Sequence, residues 1–320
     1  MKEQLNLELL IPEEMAGSRL DQVVAALMPD YSRARLQQWI KEGKILIDAQ
    51  IRRSKDKVAG GEKVSLKVTL EPDTDWQPEE IDLDIVFEDE ALIIINKPAG
   101  LVVHPAAGNR QGTLLNALIN HAPSLATIPR AGIVHRLDKD TTGIMVIAKS
   151  LPAQKKLVDQ LQARTVKRQY QAIVAGVMTA GGTVSAPIGR HAVHRTRMAV
   201  NSNGKDATTH YRVIKRFRGH THIDVKLETG RTHQIRVHMA HIKYPIIGDP
   251  LYGGRLGMPK GGSEKLRETL RKFRRQALHA YSLTFTHPES GDEMGWEVPL
   301  PGDMASLLQV LDADQTEADG

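Results

Sequence analysis

The sequence predicts an α+β protein: a small N-terminal α/β module ahead of a larger domain built on a mixed, largely antiparallel sheet. Three observations carry this. Residues 1–75 read as two helices followed by short strands. Residues 71–80 hold two prolines and five acids, the composition of a linker. From Ile81 onward strands alternate with helices, and in the second half the strands are separated by short Gly-containing turns, which suit antiparallel neighbours better than a doubly wound sheet.

In the first module, Ser18 is placed to cap a helix carrying Leu20, Val23, Val24 and Leu27, an i, i+3, i+4, i+7 stripe that stops before Pro29. Ser32 can cap a second helix, with Leu36 and Ile40 on its apolar face, Arg33, Arg35 and Lys41 on its charged face and Gly43 at its end. Strands are expected at 44–48 and 62–68, where Ile45 and Ile47, then Val64, Leu66 and Val68, alternate. The larger domain is expected over 81–302. Its readable strands are 92–95, 143–148, 169–177, 210–217, 222–228 and 281–285, and its helices 113–121, 153–161 and 233–241. Residues 303–320 contain Asp303, Asp312, Asp314, Glu317 and Asp319 but no Lys or Arg. They read as a peripheral, partly disordered acidic tail.

A chain of 320 residues that is 41% hydrophobic can bury a sizeable core, and its length suits two domains at roughly 100–200 residues each. It has no Cys, which excludes disulfides, a thiolate nucleophile and a Cys-based zinc site. No apolar run approaches the roughly 18 residues of a membrane span. Lys2, Glu3 and Glu8 stand where a signal peptide needs apolar residues, so a cytoplasmic address is the simplest. No heptad or exposed apolar stripe is visible, and a monomer is expected. The net charge of +5 is unevenly spread. Residues 33–67 hold ten Lys/Arg against four Asp/Glu, and residues 255–275 eight against two. Such clusters release counterions from a phosphate backbone and favour nucleic acid as partner. The plainer reading of each is a solvated helix face.

Two segments concentrate the chemistry. His135-Arg136-Leu137-Asp138-Lys139-Asp140-Thr141-Thr142-Gly143 lies between two apolar runs, as a cleft lining would, although a charged turn with an Asp cap has the same composition. Glu228-Thr229-Gly230-Arg231-Thr232-His233-Gln234-Ile235-Arg236 reads as strand, Gly turn and helix start. That arrangement suits a phosphate or carboxylate, or simply a cap with an ion pair. His233, His238 and His241 raise the question of a metal, but no acidic ligand stands beside them and none is expected.

The paired helices and small sheet, with Arg19-Leu20-Asp21, Ser32-Arg33, Gly43 and Ile47, resemble the S4 RNA-binding domain. This implies that Ser32, Arg33, Arg35, Gln37 and Lys41 face RNA. The two polar segments, together with Ile95-Asn96-Lys97-Pro98-Ala99-Gly100-Leu101-Val102-Val103-His104-Pro105, Arg168-Gln169-Tyr170-Gln171-Ala172 and Gly248-Asp249-Pro250-Leu251-Tyr252-Gly253, resemble the large-subunit rRNA pseudouridine synthases of the RluA type over nearly the whole chain. Thr142 stands where many members have Ser.

The resemblance implies that Asp138 is the catalytic carboxylate, Tyr170 the ring stacked on the target base and Arg236 the ion-pair partner of Asp138. It further implies RNA contacts from Arg136, His135, Arg231, His233 and His104, with Arg190, Arg195 and Arg197 as further candidates. It points to ribosomal RNA, or the assembling large subunit, as partner and to uridines in the loop of helix 69. The reaction it implies breaks the C1′–N1 bond of uridine, turns the base and rebuilds it as C1′–C5. That chemistry is redox-neutral and polar, so neither a metal nor an organic cofactor is called for. An ionised carboxylate can add to C1′ or deprotonate the sugar, and either needs a depressed pKa in a largely buried pocket. The target must first be flipped out of its stack. With only 4% aromatic residues, the chain suits shape and phosphate contacts to a stem-loop more than extended base stacking. The competing readings are a non-catalytic rRNA-binding or ribosome-assembly protein and a His-dependent metallohydrolase.

Overall fold

The structure, a computed structural model, describes residues 4–70, 76–105, 111–194, 196–254 and 257–319. Its first module comprises β1 (Gln4–Leu10), α1 (Leu20–Leu27), α2 (Arg33–Lys41), β2 (Ile45–Ile47) and β3 (Lys63–Thr69). The three strands pair antiparallel in the order β1-β3-β2. Alternation along β3 turns Val64, Leu66 and Val68 inward, where they join a core with Leu20, Val24, Leu36, Trp39 and Ile40. Ser32 caps α2 as expected, its Oγ accepting from the Arg35 amide at 3.3 Å, and Gly43 (φ +68°) follows the helix end.

The start of α1 differs from expectation. Arg19, not Ser18, occupies the cap position, and no side chain caps it. The free amides of that turn are satisfied by a neighbouring loop instead: Leu20 N–H donates to Asp56 O (2.8 Å) and Asp21 N–H to Ser54 O (3.0 Å).

The larger domain opens with β4 (Ile85–Glu88), β5 (Leu92–Lys97), α3 (Leu114–His121), β6 (Thr142–Ala148), α4 (Leu151–Gln162) and β7 (Lys167–Ala175). Short strands follow: β8 (Gly182–Ser185), β9 (Ile188–Arg190) and β10 (Met198–Val200). Then come β11 (Thr208–Arg216), β12 (His220–Leu227), α5 (Gln234–His241), α6 (Glu264–Lys272), β13 (Leu278–Thr286), β14 (Glu293–Glu297) and α7 (Gly302–Asp319). The main sheet runs β4-β5-β6-β13-β7-β12-β11-β8, with β14 added to β13. Only β13 against β6 is parallel among its described pairs, so the sheet is mixed and largely antiparallel, and the fold is α+β. Strands β9 and β10 form a separate ribbon. The whole of β6 is buried, and α3 begins in a capping box between Thr113 and Asn116.

The acidic C-terminal segment is neither peripheral nor irregular. It forms α7, and Met304, Leu307 and Leu311 make a buried stripe. Its acids meet the protein's own cations. Arg275 pairs with Asp303 (2.6 Å) and Arg218 with the buried Asp314 (3.0 Å), which also accepts from the Ser263 amide (2.6 Å). Charge composition alone misread this helix because its counter-ions lie far off in sequence. The same contacts weaken the case for residues 255–275 as a free cationic patch, since Arg271 faces Glu264 (3.6 Å) and Lys272 pairs with Glu268 (2.6 Å).

Candidate active site

The loop 135–141 enters from Ile133, which bridges to Ile147, and leaves into β6. Two features hold its shape. Gly143 has φ +117°, and a Cβ there would lie 2.1 Å from Ala280 O, so only glycine lets β6 approach β13 this closely just after the loop. Lys97 is buried at the end of β5 and donates its ammonium to Pro98 O (2.7 Å), Leu101 O (2.9 Å) and Lys139 O (2.9 Å). Burial pushes the Lys97 pKa down to about 8, against the raising influence of Asp140 and Asp138.

Asp138 projects from this loop with its side chain 16% exposed. Arg236, in the first turn of α5, donates from Nη1 to Asp138 Oδ2 at 2.8 Å. Its other nitrogens are committed to Asp249: Nε to Oδ2 at 2.7 Å and Nη2 to Oδ1 at 2.9 Å. Asp249 also accepts from the amides of Leu251 (2.8 Å) and Tyr252 (3.0 Å), and the Arg236 guanidinium lies 5.1 Å from the centre of the Tyr252 ring. Burial would lower the Arg236 pKa, but the hydrogen bonds and charges of Asp249 and Asp138 reverse this and raise it. The guanidinium therefore stays charged and points a fixed N–H at Asp138.

His233 precedes α5 in a left-handed conformation (φ +57°), its Nδ1 at 2.8 Å from the Tyr252 hydroxyl and its Nε2 at 3.8 Å from Asp138 Oδ1. Burial lowers its pKa despite the neighbouring Asp138, so the ring is neutral near pH 7. Gln234 organises the turn before α5, accepting from Thr229 Oγ1 (2.7 Å) and the Arg231 amide (3.0 Å) and donating to Thr208 O (3.0 Å). Tyr170, on β7 in the middle of the sheet, is 6% exposed, and burial raises its pKa. All these elements meet in one cavity of about 860 Å³ lined by Asp138, Tyr170, Arg236 and His233 among others. Its described lining includes six arginines, Arg130, Arg136, Arg164, Arg168, Arg231 and Arg236, against two acids, Asp138 and Glu228. Such a site attracts a polyanion.

The expected RNA contacts divide. Arg136, exposed, lines this cavity with Arg231, whose Nε donates to Asp206 O (3.0 Å), and His104, whose Nε2 is buried without a hydrogen-bond partner. His135 also lines it, but not as a cation. Its Nε2 accepts from the Val146 amide (3.1 Å), and burial pushes its pKa down to about 3, so the ring is neutral near pH 7. Arg33, Arg35 and Lys41 lie on α2 in the N-terminal module, where Arg33 pairs with the buried Asp21 (2.7 Å) and Gln37 donates to the same carboxylate (2.8 Å). Arg190 ends β9 and Arg197 precedes β10, whereas Arg195 lies outside the described residues.

Both ring nitrogens of His238 have protein partners: Nδ1 lies 2.8 Å from Thr209 Oγ1 and Nε2 2.9 Å from Ala186 O. Among the described residues no group of three or more His, Asp and Glu is arranged to hold an ion, and no helix is long and apolar enough to cross a membrane. Lys97, Asp249 and Gln234 were present in the quoted motifs, but no role could be read for them. Their signal was a charge or amide set inside or beside apolar strands and turns.

A family model described as RNA pseudouridylate synthase matches residues 91–241, and an S4 domain model matches residues 18–64. The chain is 57% identical over 305 residues, 95% of each chain, to the ribosomal large subunit pseudouridine synthase D of Pseudomonas aeruginosa. It is 54% identical over 318 residues to the protein of the same name from Escherichia coli K12, covering 99% of this chain and 98% of that one. Among solved structures, the human protein RNA pseudouridylate synthase domain containing 4 is similar with a TM-score of 0.57 and 28% identity, over 71% of this chain and 92% of that chain. The chain belongs to the RNA pseudouridylate synthase family and carries an S4 domain ahead of the region that matches it.

Proposed function

We propose that the protein isomerises uridines of large-subunit ribosomal RNA to pseudouridine, in the loop of helix 69, with Asp138 as catalytic carboxylate. The observation that carries this reading is the 2.8 Å contact between Arg236 and Asp138 inside an arginine-lined cavity that also contains Tyr170. The names of the relatives support ribosomal RNA of the large subunit as the substrate class. The protein acts as a monomer on rRNA or on the assembling subunit.

The chain's own groups divide the work. Cations at the cavity and on α2 hold phosphates and offset the few kcal/mol needed to unstack a uridine. Exposed Arg136 holds the backbone of the flipped nucleotide, while the face of Tyr170 receives the base. Asp138, held by the Arg236 N–H at 2.8 Å, meets the ribose. Attack on C1′ and removal of the C2′ proton both start from that carboxylate. The uracil then turns against Tyr170, C1′ bonds to C5 as the carboxylate leaves C1′ or the C2′ proton is returned, the C5 proton leaves and N1 gains one. The phenol of Tyr170 is placed to relay the C5 proton.

The test is a map of pseudouridines in large-subunit rRNA from cells with and without the gene. Loss of pseudouridine at a small set of sites, restored by the wild-type gene, is the expected result. Unchanged modification contradicts the reading and favours an rRNA-binding role without catalysis.

A further inference from the structure

Arg168 lies on β7 two residues before Tyr170, so both side chains leave the same face of the sheet and line the same cavity. Arg168 is 8% exposed, its Nε is buried with no hydrogen-bond partner, and among the described residues no carboxylate pairs with it. Both acids of the described cavity lining are occupied elsewhere. Asp138 faces Arg236 (2.8 Å), and Glu228 faces Arg164 (3.6 Å) and His210 (2.6 Å). A buried cation without a counter-charge is unfavourable for folding alone and points to a ligand that supplies the missing charge. Gly230 lines the cavity beside this group, and a Cβ there would stand 2.8 Å from Arg168 Nη1 and press on the guanidinium.

Depth identifies the partner. Arg136 is exposed, the Asp138 side chain is 16% exposed, and Tyr170 and Arg168 are 6% and 8% exposed. A flipped nucleotide enters base first, with its phosphates remaining near the mouth because the backbone must return to the RNA. Phosphate therefore belongs with Arg136, sugar with Asp138 and base with Tyr170 and Arg168.

Building on the pseudouridine synthase reading, we infer that Arg168 binds a carbonyl oxygen of the flipped uracil and stabilises the negative charge on the detached base. When the C1′–N1 bond breaks, its electron pair stays with the uracil and spreads from N1 to O2 and O4. Asp138 takes up the demand at C1′, or C2′ loses a proton. The charge is discharged when C5 bonds to C1′ while the carboxylate leaves C1′ or C2′ regains its proton, the C5 proton leaves and N1 is protonated, so no electron is gained or lost overall. A preorganised guanidinium at the carbonyl oxygen favours the cleaved state over the bound substrate, which is the condition for accelerating the step.

The test compares wild-type protein, Arg168→Lys and Arg168→Met in single-turnover tritium release from unmodified large-subunit rRNA labelled at C5, alongside RNA binding over a salt series. Arg168→Met is expected to slow release by about 10²- to 10³-fold, the usual consequence of losing one such donor. Arg168→Lys should recover part of the rate, and RNA affinity and its salt dependence should be unchanged. Thermal stability should be unchanged or higher, because the unpaired buried charge has gone. Gly230→Ala, crowding the guanidinium, should slow release with RNA affinity intact. Weakened binding with a salt slope reduced by about one unit makes Arg168 a phosphate contact and overturns the inference. So does a lower Tm with an unaltered rate. A wild-type protein that releases no tritium refutes the functional reading itself, whereas a normal wild type beside an unimpaired Arg168→Met refutes only the role of Arg168.

Discussion

Arg236 is gripped by Asp249 on two nitrogens, which leaves its third aimed at Asp138. The aim of the Arg236–Asp138 pair is thus set by a second carboxylate, Asp249. Asp249→Asn keeps the shape but removes the charge from a site whose side chain is fully buried. It is expected to cost about 3 kcal/mol in urea unfolding and to slow single turnover by about 10²-fold through misplacement of Arg236. A variant with full turnover would show that Asp138 is oriented by something else. Arg236→Lys should fail similarly, since one ammonium cannot span both carboxylates. The sequence motifs pointed to Asp138, Tyr170 and Arg236, and these meet in one cavity. They were silent on Asp249 and Lys97, whose partners lie 13 and up to 42 residues away and are brought in only by folding. The partner of His135, a backbone amide on β6, is likewise one that a side-chain pattern does not reveal.

At the scale of elements, strong periodicity was readable and weak or short elements were not. The stripes of α1 and α2 and the alternation of β3 predicted their own burial. Strands β8, β9 and β10 are too short to show alternation, and β1 is an edge strand with Leu7 and Leu10 exposed. Helix α7 was hidden because its acids dominated its composition, although Met304, Leu307 and Leu311 recur at helical spacing. Its packing makes a sharp prediction. Leu311→Ala should destabilise the protein by about 3 kcal/mol, measured by denaturant unfolding, whereas a dangling tail would register no change.

The whole molecule should report its buried histidines through pH. Burial pushes His135 to about 3 and His220 and His222 to about 4. An unfolded histidine titrates near 6.5, so below that pH the unfolded chain binds protons that the folded chain refuses. Stability is therefore complete above about pH 6.5 and lost as pH falls toward 4, with a slope of up to about 1.4 kcal/mol per pH unit for each histidine. The Tm should drop between pH 7 and 4.5, and His135→Gln should make the drop shallower; a flat profile contradicts the assigned burial.

Across the same molecule, Arg33, Arg52, Arg271 and Lys272 face acids of their own, and the arginine-lined cavity, with Arg35 and Lys41 on α2, is the strongest candidate for RNA engagement. The most direct test of the proposed chemistry is single-turnover tritium release from C5-labelled, unmodified large-subunit rRNA by wild-type protein and by Asp138→Asn. Wild type should release tritium, and the variant should be slower by at least about 10⁴-fold while binding the RNA as tightly. Turnover retained in Asp138→Asn would contradict the account.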